Sequence, residues 1–181
     1  PLPPDALRPL NLAPGQEVAV LRMSPRSALA ADASRYLEEK WKAKPLHLDC
    51  LSHGDGGAFD LRTSEGAQKA AQKLKDARSL AGLVLVLEKD SSSVLSGPED
   101  IAAFLAGYFR CLKTVMNSTS KPFCMVLLRG VQPETANAVT GEGILGMFLA
   151  AAHEYPSVLF RSVSLDTGTD FPRDMDRALD T

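Results

Sequence analysis

The chain has 181 residues, enough for one domain of ordinary size with a substantial hydrophobic core. Hydrophobic residues make up 45% of it and charged residues 23%, which excludes a disordered or low-complexity chain. The net charge of −2 gives no indication of nucleic-acid or anionic-membrane binding, and no apolar run reaches the roughly 18–20 residues of a membrane span.

Strand and helix patterns alternate from residue 17 onward. Before that point, five of the first fourteen residues are proline, which predicts an extended linker over residues 1–16 and a piece taken from a longer polypeptide. The first predicted segments are a strand at 18–21, a helix at 27–43, a strand at 46–51, a turn at 52–57 and a very short strand at 58–61.

The second half continues the same alternation. The predicted segments are a helix at 63–78, a strand at 82–87, a helix at 98–118, a strand at 123–128, a helix at 139–153, a strand at 158–165 and a helical turn or linker within 167–181. Strands separated by helices of this length pair in parallel with right-handed crossovers. The sequence therefore predicts an α/β fold over residues 17–166, a Rossmann-like doubly wound parallel sheet in three layers, α/β/α.

The turn after the first strand is where a Rossmann fold binds a dinucleotide. Such a site needs glycines there, because the backbone must approach the pyrophosphate at a helix N-terminus. Residues 22–27 contain no glycine, and Pro25 removes a backbone donor. We therefore predict no cofactor-binding residues at this turn.

Other polar residues do not assemble into a recognisable catalytic set. His53 and Asp55 lie close together in one predicted turn, but close neighbours in a loop rarely form a catalytic triad. The sequence also contains no G-x-S-x-G motif. Asp60 is interpreted as a polar residue that ends a short strand. His47 lies on a predicted strand and His153 near the end of a predicted helix, which is a favourable place for a cation. We predict no catalytic residues.

The three cysteines, Cys50, Cys111 and Cys124, form no C-x-x-C pair. This spacing argues against a zinc site and against a disulfide framework. Each cysteine lies in or beside an apolar segment. We expect buried thiols in a reducing, cytoplasmic compartment and no metal site.

The stretches 126–130 (VLLRG), 141–156 (GEGILGMFLAAAHEYP) and 158–166 (VLFRSVSLD) resemble the ketoreductase regions of modular polyketide synthases. Those regions contain a strand that ends in an Arg-Gly turn and then a helix that contains glycine. The helix ends in an acidic residue, an aromatic residue or histidine, and a proline. A strand that ends in Asp follows. The likeness extends over about residues 17–166 at the level of pattern. The ketoreductases of polyunsaturated fatty acid synthases share this architecture.

In that family, a ketoreductase has two halves of the short-chain-dehydrogenase type, a truncated structural subdomain and a catalytic subdomain that holds NADPH. The catalytic half carries a glycine-rich turn, a Ser at a strand end, and a Tyr with a nearby Lys or Asn. Here the matching strand ends in Leu127, Leu128 and Arg129, and residues 140–147 contain no Tyr, Lys or Asn. The resemblance therefore implies the structural subdomain or a pseudo-ketoreductase, which is not an enzyme by itself.

Two helices carry more apolar surface than one sheet face needs. The apolar residues of 98–118 span an arc of about 140–160°, and those of 139–153 span about 200°. Either the two helices pack side by side, or they form an interface with a catalytic half. The residues predicted for that interface are Phe104, Tyr108, Phe109, Leu112, Met116, Ile144, Met147 and Phe148.

The leading hypothesis is a structural subdomain that supports a ketoreductase catalytic subdomain, or a neighbouring dehydratase or acyl carrier protein, with no nucleic-acid or membrane partner. One alternative is a standalone binding module for an acyl carrier protein or ligand, in which Arg22, Arg26 and Arg129 attract a phosphate. The other is an enzyme of unidentified chemistry on a Rossmann-like fold, with His53 and Asp90 in its site.

Overall fold

A computed structural model describes residues 12–51, 59–89, 95, 97–117, 122–131, 135–166, 168 and 170–179. Strands and helices alternate along the described chain. The strands are β1 (Glu17–Arg22), β2 (Lys44–Asp49), β3 (Leu80–Glu88), β4 (Phe123–Arg129) and β5 (Leu159–Leu165). The helices are α1 (Ala28–Trp41), α2 (Ser64–Asp76), α3 (Pro98–Met116), α4 (Ala136–Glu154) and α5 (Phe171–Leu179).

The five strands form one parallel sheet in the order β2-β1-β3-β4-β5. The chain runs from β1 out to β2, and then crosses back to place β3 on the other side of β1. From β3 it continues in one direction through β4 to β5. The strand order therefore reverses between β1 and β3, which confirms the predicted Rossmann-like sheet.

Helices cover both faces of the sheet. Helices α2, α3 and α4 pack on one face, where Leu21, Leu85 and Val126 belong to the same core as the helices' buried side chains. Helices α1 and α5 pack on the other face, against strand residues such as Val20 and Val86. The three-layer prediction is confirmed. None of the helices in the described ranges has the length and apolar character needed to cross a membrane.

Local signals in the sequence set where the helices begin. The side chains of Ser27, Thr63 and Thr135 each accept a hydrogen bond from a backbone N–H in the first turn of the helix that follows. Pro98 lies at the start of α3, where its missing donor costs no intrahelical bond. The central strand β3 is buried along almost its whole length, as its continuous apolar run predicts.

The very short strand predicted at 58–61 is wrong for the described residues 59–61. Phe59 N–H donates to the Asp49 carbonyl oxygen at 2.6 Å, and Leu61 N–H donates to that of Cys50 at 2.9 Å. The chain then turns at once, since Thr63 N–H donates to the Asp60 carbonyl oxygen at 3.0 Å and α2 begins at the next residue. Two backbone bonds at the end of β2 do not make a strand. Residue 58 and the predicted turn at 52–57 lie outside the described residues.

This turn lies directly against helix α3. A Cβ atom placed on Gly107 would lie 2.0 Å from the backbone carbonyl oxygen of Leu61. Glycine is therefore required at this position by the distance between two backbones, although it lowers the intrinsic stability of a helix.

We predict that Gly107→Ala lowers the free energy of unfolding by about 1–3 kcal/mol, because the added methyl group forces the turn and the helix apart. The matched control is Gly146→Ala in α4, where a Cβ atom meets nothing within 4 Å. There the same change raises the free energy of unfolding by roughly 0.5–1 kcal/mol through helix propensity. Urea denaturation measures the free energy of unfolding of both variants. The same change in that free energy for the two substitutions would contradict the close approach at Gly107.

Candidate functional site

Ligands of doubly wound sheets bind at the carboxyl ends of the strands, where the strand order reverses. In this chain that place lies between the carboxyl ends of β1 and β3, and we call it the crevice. Arg22 ends β1, Glu88 ends β3, and Ser27 caps helix α1 beside them. These three residues define the candidate site.

The carboxylate of Glu88 is bound to the N-terminus of α1. One carboxylate oxygen, Oε1, accepts the backbone N–H of Leu29 at 2.8 Å, and the other, Oε2, accepts the hydroxyl of Ser27. The same hydroxyl oxygen accepts the backbone N–H of Ala30 at 2.9 Å. Groups of the chain itself therefore satisfy two of the backbone donors at the start of α1.

The main chain of Glu88 is fixed as well as its side chain. Its carbonyl oxygen accepts the side-chain amide of Asn137, a fully buried residue in the first turn of α4. Sequence reasoning missed both residues, because an acid after an apolar strand looks like the first polar residue of a loop. The one available signal was the absence of glycine from residues 22–27, which leaves the N-terminus of α1 in need of another partner.

A dinucleotide does not fit this crevice in the usual mode. Its pyrophosphate binds at the N-terminus of the helix that follows the first strand. Here the carboxylate of Glu88 lies at that N-terminus, and the preceding turn carries Pro25 and no glycine. A phosphate would meet a negative charge and side chains where it needs backbone donors.

Charged side chains of alternating sign end four neighbouring strands on the face that α1 covers. In sheet order they are Asp49, Arg22, Glu88 and Arg129. Arg22 Nε donates to Asp49 Oδ1. Arg129 contacts Asp32 of α1 at 3.3 Å, and its guanidinium lies 5.7 Å from the centre of the Phe171 ring. We call these four residues the charge row.

The predicted phosphate-attracting arginines are thus divided between different surroundings. Arg22 and Arg129 lie on strands separated by β3, and each is paired with an acid. Arg26 is exposed in the turn before α1. The structure does not bring the three guanidinium groups together as one free cationic cluster.

Asp60 is buried and holds the turn before α2. Its Oδ2 receives a hydrogen bond from Arg62 Nη2 at 2.8 Å, and its Oδ1 receives one from Arg62 Nε at 2.9 Å. The side-chain hydrogen bond with Asp60 raises the pKa of Arg62. This fork-shaped ion pair gives Asp60 a structural role in the turn, although Asp60 does not end a strand as predicted.

The histidines carry no catalytic arrangement in the described residues. Partial burial, followed by the positive charge of Arg22, lowers the pKa of His47. His47 Nε2 lies 3.5 Å from the hydroxyl of Ser34, but that hydroxyl donates to the Ala30 carbonyl oxygen at 2.7 Å, within its own helix. His153 is exposed near the end of α4. The remaining sequence candidates, His53, Asp55 and Asp90, lie outside the described residues.

All three cysteines are buried free thiols, as the sequence predicts. Burial raises the pKa of Cys111 to about 12 and raises that of Cys50 and Cys124 as well. Such thiols carry little thiolate at neutral pH and are poor nucleophiles. No group of three or more His, Cys, Asp or Glu residues in the described ranges is placed to hold a metal ion.

Tyr108 of α3 lies in the core with these thiols. Its ring is fully buried and stacks on Phe104 with centroids 6.5 Å apart. Its hydroxyl has no hydrogen-bond partner in the described part of the chain. Burial, followed by the three nearby thiols, raises the pKa of Tyr108 well above its ordinary value. The hydroxyl is therefore a neutral buried donor that destabilises the fold.

Most of the predicted interface residues are part of the chain's own core, so their placement at a surface is wrong. Six of them pack against the sheet or the neighbouring helix, because the parallel sheet needs a wide apolar cover and α3 packs beside α4. The side chain of Leu105 in α3 lies against Gly143 of α4. The six buried residues are Phe104, Tyr108, Leu112, Met116, Ile144 and Phe148.

Two of the predicted interface residues reach the surface. Phe109 is 42% exposed, and Met147 is partly buried against the core. Two further large apolar side chains, which are not among the predicted interface residues, are exposed on α4: Val139 at 53% and Leu149 at 72%. Among the described residues, the exposed large apolar side chains therefore lie on α3 and α4.

Helix α5 contacts α1 through the carboxylate of Asp176 and through the ring of Phe171. The Tyr36 hydroxyl donates to Asp176 Oδ1 at 2.6 Å, and Lys40 Nζ lies 3.2 Å from the same carboxylate. The hydrogen bond from Tyr36 lowers the pKa of Asp176. The Tyr36 ring also meets the Phe171 ring edge-on, with centroids 6.0 Å apart.

No protein-family model and no curated protein matches the chain. Solved structures share its fold. BdcA from E. coli superposes with a TM-score of 0.60 and 13% identity, over 83% of this chain and 84% of that one. A bulky-bulky ketone specific alcohol dehydrogenase from Comamonas testosteroni superposes with a TM-score of 0.53 and 16% identity, over 91% of this chain and 72% of that one. A trans-2-enoyl-CoA reductase from Clostridium acetobutulicum, solved with NADH, superposes with a TM-score of 0.53 and 8% identity, over 90% of this chain and 61% of that one.

These likenesses correct one prediction. The chain was expected not to be an enzyme, yet the solved structures that share its fold include a dehydrogenase and a reductase that was solved with NADH. Oxidoreductases share this fold, so the absence of a glycine-rich turn was no ground for placing the chain outside enzymes. Sequence identities of 8–16% show the shared fold alone.

We predict that Tyr108→Phe raises the free energy of unfolding by about 1 kcal/mol, because it removes a buried hydroxyl without a partner. Tyr36→Phe is the matched control, since it removes the same atom from a hydroxyl that donates to Asp176. That change lowers the free energy of unfolding by about 1 kcal/mol. Thermal unfolding followed by circular dichroism compares the two. A loss of stability in Tyr108→Phe as large as that in Tyr36→Phe would contradict the assignment.

Proposed function

We propose that this chain is the structural subdomain of a ketoreductase in a polyketide or polyunsaturated-fatty-acid type of synthase. In this role it is one part of an oxidoreductase and supports a second, catalytic subdomain of the short-chain-dehydrogenase type. The observation that carries the proposal is an oxidoreductase fold whose cofactor crevice is closed by Glu88. The resemblance of residues 126–166 to synthase ketoreductases supports the synthase setting.

The closed crevice argues for a second subdomain. Reduction of a ketone by a nicotinamide cofactor requires a hydride donor held beside the carbonyl carbon. The residues at the α1 N-terminus do not fit the cofactor's pyrophosphate, because Glu88 lies there. In the proposed enzyme the cofactor and the ketone therefore bind to the other subdomain.

The exposed apolar side chains of α3 and α4 are the proposed contact surface. Val139 and Leu149 lie within about 80° of each other around the axis of α4, so one partner can cover both. Phe109 supplies an aromatic side chain from the neighbouring helix. An apolar surface that one partner can cover is typical of interaction sites. We name Phe109, Val139 and Leu149 the α3/α4 patch.

The test uses the natural polypeptide in which these 181 residues occur. Its rate of NADPH oxidation with a β-ketoacyl thioester measures ketone reduction. We predict at least a tenfold loss of this rate in Leu149→Glu, because a charge in the α3/α4 patch opposes docking of the catalytic subdomain. The control is Gln68→Glu, which adds the same charge at an exposed position of α2 on a different helix.

Three outcomes would contradict the proposal. One is a natural polypeptide without NADPH-dependent ketone reduction, and another is a rate for Leu149→Glu equal to that for Gln68→Glu. The third is ketone reduction by the 181-residue chain alone, which would favour an enzyme acting by itself on this fold. Binding of an acyl carrier protein to the α3/α4 patch, without ketone reduction, would favour the binding-module alternative.

A further inference from the structure

We infer that the Glu88 carboxylate is an internal anion, which holds the N-terminus of α1 in place of a phosphate and keeps phosphate groups out of the crevice. Helix N-termini bind anions because their backbone N–H groups point outward without partners and carry partial positive charge. In this chain the backbone N–H of Leu29 and the hydroxyl of Ser27 both donate to Glu88. The anion comes from the protein itself.

The backbone of Glu88 is also held in place by hydrogen bonds. Glu88 is the last residue of β3 and pairs in register with Arg129 of β4. Its carbonyl oxygen accepts the side chain of Asn137, which is fully buried. Since strand, side chain and carbonyl oxygen are all held, the carboxylate is a permanent part of the crevice and not a side chain that moves aside for a ligand.

The charge row gives Glu88 a second role in excluding anions. With Glu88 in place, the row contains two acids and two arginines, and Arg129 also contacts Asp32. With Asp32 counted beside Arg129, loss of the Glu88 charge leaves two acids and two arginines, so the surroundings change from net negative to neutral. The crevice then no longer repels an anion, and the freed donors of Ser27 and Leu29 are groups that bind phosphate.

The inference goes beyond the proposed function and does not depend on it, because every contact lies within the described part of one chain. A failed ketone-reduction assay would leave it standing. Conversely, a crevice that binds phosphate in the wild-type protein would overturn the inference and remove the argument for a second subdomain, whereas the ketone-reduction assay of Leu149→Glu tests that subdomain separately.

The experiment titrates the 181-residue chain with inorganic phosphate, at constant ionic strength balanced with chloride. In the wild-type protein we expect no shift of the Leu29 backbone amide signal in NMR spectra. In Glu88→Ala we expect that signal to shift on titration, with phosphate bound at least tenfold more tightly than by the wild-type protein in calorimetry. The matched control is Glu99→Ala, which removes an exposed acid from the first turn of α3.

A second variant protects the test against loss of folding. Glu88→Gln keeps the length of the side chain and an oxygen that accepts the Leu29 N–H, but it removes the charge. We expect it to bind phosphate more tightly than the wild-type protein and less tightly than Glu88→Ala. The inference is overturned if the wild-type Leu29 signal shifts with phosphate. It is equally overturned if the folded variants bind phosphate no better than the wild-type protein or Glu99→Ala.

Discussion

The contacts of Glu88 join the three layers at the edge of the sheet where the candidate site lies. Its side chain accepts donors from Ser27 and Leu29 at the start of α1, on one face of the sheet. Its carbonyl oxygen accepts the side chain of Asn137 in α4, on the other face. Glu88 itself ends β3, the central strand of the sheet. One residue therefore contacts helices on both faces of the sheet, and it does so where doubly wound folds bind a ligand.

This arrangement explains how a fold shared with oxidoreductases can lack the glycine-rich turn. Glycines serve to bring a phosphate close to the backbone at the helix N-terminus. When a carboxylate of the same chain already satisfies that N-terminus, the turn is free to carry Pro25 and other side chains. In the proposed enzyme, the chain then contributes its surface and its rigidity, and the α3/α4 patch is the part of that surface available to a second subdomain.

Much of the fold could be predicted from the sequence because its signals are local. The apolar run at 82–87 indicates a strand buried on both faces, and Ser27 and Pro98 mark helix starts. The contact surface could not be predicted as well. A wide apolar arc on a helix does not show whether the chain's own sheet and neighbouring helix cover it or whether a partner does. For this reason Phe104 and Ile144 are predicted at an interface, although they lie in the core. The contacts of the Glu88 carboxylate depend on two residues about 60 positions away in the sequence, Ser27 and Leu29, which no local pattern indicates.

The most direct test of the account is a crystal structure of the natural polypeptide grown with NADPH. We predict that the cofactor lies in a second subdomain that packs on the α3/α4 patch. We also predict that the Glu88 carboxylate still accepts the Leu29 N–H and the Ser27 hydroxyl. A cofactor pyrophosphate seated at the N-terminus of α1, with the Glu88 side chain displaced, would contradict it.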